Sequence, residues 1–72
     1  MKEYTLCYTF DNEIIIEKLF KESNVKKEDV EQEVVEKMNQ NKYFIVKNDQ
    51  GTFKIDSSLV RFVRIIDVKI LV

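Results

Sequence analysis

Thirteen residues, Val60-Arg-Phe-Val-Arg-Ile-Ile-Asp-Val-Lys-Ile-Leu-Val72, contain neither proline nor glycine and are dominated by β-branched and aliphatic side chains, a composition that favours extended backbone. At about 3.3 Å per residue they would reach roughly 40 Å, whereas a compact domain of 72 residues is only about 30 Å across. The strand is therefore expected to bend, to bulge, or to continue into a partner. Ile66, Val68, Ile70 and Val72 fall on one face with Asp67 and Lys69 opposite; upstream, Val63 and Ile65 argue for one face and Val60, Phe62 and Ile66 for the other. A bulge near Arg64 to Ile66 is the expected break in phase. No polar tail follows the strand, so it is expected to be structured to its end.

The remaining elements follow from hydrophobic period. Tyr4, Leu6, Tyr8 and Phe10 alternate with Glu3, Thr5, Cys7 and Thr9, the pattern of a half-buried strand. Asp11 or Asn12 can cap a helix with Glu13 in its first turn, and the four-residue pairs Ile15 with Leu19 and Ile16 with Phe20 form an apolar stripe. A first helix is expected to run from there to about Ser23-Asn24. A second is expected from about Lys26 to Gln40, with Val30, Val34 and Met38 inward and Ser23 or Asn24 as cap. From Lys42 the period falls to two, giving a hairpin over Tyr43 to Asp56 with a turn at Asn48-Asp-Gln-Gly51, where the glycine takes the left-handed position.

The expected fold is thus a single α+β domain over residues 1–72, in the order β-α-α-β-β-β, an antiparallel sheet with two helices packed on one face. That order resembles the sequence of elements in RelE/ParE-type toxins, whose ribosome-cleaving members are strongly basic, whereas this chain carries a net charge of -1.

Composition narrows the chemistry. The absence of histidine removes the usual general base near neutral pH, the Ser-His and Cys-His arrangements and the histidine metal site together. A single glycine rules out glycine-rich phosphate loops. Cys7 stands alone, with no sequence neighbour to depress its pKa, and is expected to be a small structural side chain in a reducing compartment, the cytoplasm by default. No membrane span and no signal peptide are legible. The chain is therefore expected to be non-enzymatic, with no catalytic residue, metal or cofactor.

Two binding surfaces are expected instead. Acidic residues crowd the middle of the chain, and Glu28, Asp29, Glu31, Glu33 and Glu36 would offer negative charge from the second helix to a protein partner. Such a surface, with the AT-rich coding bias implied by many Lys, Ile, Asn and Glu and no Ala, resembles the small inhibitors of phages and mobile elements. The last strand, through Arg64, Val68, Ile70 and Val72, is expected to join two copies in a homodimer by pairing an edge that would otherwise invite aggregation. The alternative is a nucleic-acid-binding sheet, in which Tyr43, Phe44, Phe53 and Phe62 interleave with Lys42, Lys54, Arg61 and Arg64. The two differ in whether Phe44 and Phe62 face solvent with the basic residues or lie under the helices.

Overall fold

The computed structural model describes residues 1–71. Five strands and one α-helix follow in the order β1 (Lys2–Thr9), β2 (Ile14–Lys21), α1 (Lys27–Gln40), β3 (Tyr43–Asn48), β4 (Gly51–Asp56) and β5 (Phe62–Ile70), with a 3₁₀ turn at Ser57–Leu59. The strands form two antiparallel sheets, one ordered β2-β1-β5 and the other the β3-β4 hairpin. The domain is therefore not a single sheet under two helices: the segment read as the first helix is β2, and the likeness of element order to the toxins goes with it.

The reason lies in the spacing. Pairs four residues apart occur on one face of a helix and equally on one face of a strand, because four is close to one helical turn and is two strand periods. In β2, Ile15, Glu17 and Leu19 turn inward while Ile14, Ile16, Lys18 and Phe20 turn outward, each facing a residue of β1. Three consecutive isoleucines also lose rotamer freedom in a helix and pack well on a pleated surface. Asp11 and Asn12, rather than capping a helix, make the β1–β2 turn, closed by Phe10 N–H donating to Glu13 O at 2.9 Å.

Tyr4, Leu6 and Tyr8 of the central strand are fully buried, and Val30 and Val34 of α1 with Phe44, Val46 and Ile55 of the hairpin complete the core above them. The Tyr8 and Phe44 rings meet at 5.3 Å between centroids. The second expected helix holds nearly to its ends, but not its cap: Lys26 occupies the N-cap position, Asp29 Oδ2 accepts from its N–H at 3.0 Å, and Ser23 instead receives the amino group of Met1 at 2.8 Å. The hairpin turn pairs Asn48 with Gly51 across Asp49-Gln50, and Gly51 sits at φ +133°, where a side chain is strained. The bulge in β5 falls where the phase broke: Thr5 faces Asp67 and Leu6 faces Ile65, leaving Ile66 unpaired.

Candidate functional site

Hydrogen-bond parity determines which backbone groups of β5 are free. Leu71 N–H donates to Met1 O at 2.8 Å, and in the same register Lys69 faces Glu3 and Asp67 faces Thr5. In an antiparallel ladder the pairs alternate between exchanging hydrogen bonds and not, so Asp67 and Lys69 direct their amides to β1 while Val68 and Ile70 direct theirs away from it. Before the bulge the odd residues of β1 still point to β5, as Thr9 O does in accepting from Arg61 N–H at 2.7 Å, so Phe62 and Arg64, opposite Thr9 and Cys7, direct their amides to β1 while Val63 and Ile65 direct theirs outward. Among the described residues β5 pairs with β1 alone, so it is an edge strand.

Its side chains divide by face. Val68 stands opposite Tyr4 and Ile70 opposite Lys2, on the core side but beyond the cover of α1, and Ile70 is 76% exposed. Arg64, Asp67 and Lys69 lie on the other face and are exposed, and among the described residues neither Asp67 nor Lys69 belongs to an ion pair. Val72, expected to extend this stripe, lies outside the described residues.

The opposite edge of the same sheet is partly closed. The Phe10–Glu13 bond sets the even residues of β1 toward β2, so Ile14, Ile16, Lys18 and Phe20 turn their amides outward. Asn48 Nδ2 then donates to Ile16 O at 2.8 Å while Asn48 Oδ1 accepts from Gln50 N–H at 2.8 Å, so one side chain folds the hairpin turn and fastens it to β2. An open groove of about 510 Å³ lies there between Ile14, Ile16, Lys18 and Phe20 on one wall and Lys47 to Gln50 on the other. Reading β2 as a helix concealed this wall, and the run Ile14-Ile15-Ile16 of β-branched residues is the one local signal for a strand there.

The acidic helix is less unified than its composition. At about 100° per residue, Asp29, Glu33 and Glu36 share one side of the helix, whereas Glu28 and Glu31 share another. Glu33 is held by Lys21 Nζ at 2.9 Å to both oxygens, Asp29 by the Lys26 N–H, and Glu36 by Gln32 Nε2 at 3.1 Å. Among the described residues only the Glu28 and Glu31 side chains of this set lack such a partner.

The aromatic residues also separate. Phe44 is 6% exposed and belongs to the core, while Phe62 is 52% exposed with the Arg64 guanidinium 5.7 Å from its ring centre. Tyr43 is exposed on the outer face of the hairpin, flanked by Lys54 Nζ at 4.6 Å and Lys42 Nζ at 5.4 Å. Phe53 is half-buried against the core.

One buried polar cluster was not anticipated. Glu17 is 8% exposed, and Tyr8 Oη donates to its Oε1 at 2.7 Å while Lys37 Nζ stands 3.9 Å from the same oxygen. Burial, reinforced by the Glu17 carboxylate, pushes the Tyr8 phenol well above its ordinary value. The cluster does not line the groove beside β2, and the protonated phenol satisfies the carboxylate within the core. At the far end of the hairpin, Asp56 Oδ1 accepts from both Ser58 Oγ and Ser58 N–H, which holds its carboxyl below the usual value of 3.8.

Among the described residues no set of three or more His, Cys, Asp or Glu converges, and no helix is long and apolar enough to cross a membrane. No family model matches the chain, and neither a curated protein nor a solved structure matches it.

Proposed function

We propose that this chain is a non-enzymatic interaction module that works by adding a strand at the open edge of β5, and that its first partner is a second copy of itself. The observation that carries the reading is the edge itself. Val68 and Ile70 present outward amides together with exposed apolar side chains on a strand paired on one side only, and pairing of this kind supplies main-chain hydrogen bonds and apolar contact at once. Natural edge strands are usually blunted by charge, bulge or cover. Here the bulge at Ile66 interrupts the ladder but leaves Asp67 to Ile70 regularly paired to β1 on one side and open on the other.

The test is the mass of the protein in solution, followed by sedimentation from low to high micromolar concentration. A dimer is expected, and Ile70→Glu should return it to a folded monomer with unchanged helix and strand content by circular dichroism. A wild-type monomer throughout that range would sink the proposal.

A second reading rests on the Tyr43 face, where Lys42 and Lys54 flank an exposed ring. Such a patch attracts phosphate, and single-stranded nucleic acid bound there would release with salt. Anisotropy of a labelled oligonucleotide decides it: binding lost in Lys42→Glu/Lys54→Glu and steeply weakened by salt would favour this reading, and no binding at low salt would remove it.

A further inference from the structure

The dimer reading leaves open how the two copies register, and the charges of β5 select one arrangement. Two-fold symmetry between antiparallel strands requires some residue to lie opposite its own copy, because any other offset would place a hydrogen-bonded pair where symmetry demands a non-bonded one. Four residues of the open stretch can take that central position. Centring on Lys69 would oppose two lysines, and centring on Asp67 two aspartates, both unfavourable directly across a ladder. Centring on Ile70 sets Lys69 opposite Leu71 and, among the described residues, pairs no opposite charges. Centring on Val68 sets Asp67 opposite Lys69 of the second copy, and by symmetry does so twice.

Resting on the strand-addition reading, we infer that β5 pairs with a second copy of this chain about Val68, with two reciprocal Asp67–Lys69 ion pairs, giving a six-stranded sheet ordered β2-β1-β5-β5-β1-β2. The backbone agrees with this register. Val68 directs its amides outward, so the Val68 pair exchanges hydrogen bonds, and Asp67 and Lys69 then fall in the non-bonded pairs where side chains approach most closely. Asp67 and Lys69 lie on one face of the strand and are exposed there. Ile66 and Ile70, each at least half exposed, come opposite one another on both sides of the centre.

The experiment is a charge swap read by sedimentation and by native mass spectrometry. Asp67→Lys places lysine against lysine and Lys69→Asp places aspartate against aspartate, so each variant should self-associate at least about tenfold more weakly than wild type. Mixing the two variants should restore a heterodimer, since every cross-strand pair then joins lysine to aspartate, and the double variant Asp67→Lys/Lys69→Asp should again form a homodimer. If wild type dimerises and Ile70→Glu abolishes it while the single swaps self-associate unchanged, the register is wrong and strand addition stands. Swaps that weaken association without rescue on mixing would equally overturn the register. A monomeric wild type would overturn both.

Discussion

Tyr8→Phe removes one oxygen atom from the centre of the core and should be among the most destabilising single-atom changes available. The ring stays, so packing against Phe44 is preserved, and what is lost is the donor 2.7 Å from a carboxylate that is 8% exposed. Hydrogen bonds to charged groups contribute about 1.5–3 kcal/mol, and Lys37, at 3.9 Å and one-third exposed, compensates only in part. The expected cost is about 2 kcal/mol, a fall in melting temperature of roughly 8–16 °C for a domain of this size. Glu17→Met should cost about 1–3 kcal/mol, because it strands the Tyr8 hydroxyl instead. The double variant Tyr8→Phe/Glu17→Met has no orphaned polar atom and should lie within about 1 kcal/mol of wild type. Urea unfolding of the four proteins at one fixed protein concentration measures the coupling, the fixed concentration being needed because association adds to apparent stability. If Tyr8→Phe costs less than about 0.5 kcal/mol, or if the double variant costs the sum of the singles, the phenol does not satisfy the buried carboxylate.

The same phenol makes stability depend on alkali. Its pKa is raised in the folded state above the ordinary 10.0, so the unfolded chain loses this proton first and stability should decline as pH rises past 10, by up to about 1.4 kcal/mol per pH unit; equilibrium unfolding between pH 9 and 11 should show that slope and Tyr8→Phe should lack it. Asn48→Ala should cost about 1–3 kcal/mol and speed amide exchange in β3 and β4 while β1 stays protected, since it cuts the bond to Ile16 O; equal exchange in wild type and variant would show that the hairpin is held by its core face alone. Gly51→Ala meets no atom within 4 Å, so its cost, about 1 kcal/mol in urea, should come from the positive φ only.

Periodicity located β1, α1 and the hairpin because each follows a single period without competition, and the bulge because the period of β5 breaks phase there. The stretch from Ile14 to Lys21 was ambiguous because its apolar residues sit four apart and its inward face carries the polar Glu17. Only the demand of β1 for a second neighbour, with Tyr8 aimed at Glu17, resolves it, and that demand comes from chain elsewhere. The site divides in the same way. The apolar stripe through Val68 and Ile70 was legible, but their exposure and their outward amides depend on the pairing partner of β5, which no local pattern encodes. The acidic helix was legible as charge and not as geometry, because partners such as Lys21 come from β2.

Cys7 acquires a use from its position. It lies on the central strand between Ile16 and Arg64, with 3% of its surface exposed, and one flank of that shelter is β5 itself. A thiol reagent reaches it when either neighbour, β2 or β5, peels from β1 or when the whole domain opens, so the part of the native modification rate that changes with protein concentration reports the detachment of β5. Since strand addition at β5 would also hold β5 down, the reactivity of a natural thiol on the far side of the ladder becomes a clock for whether the outer edge is occupied.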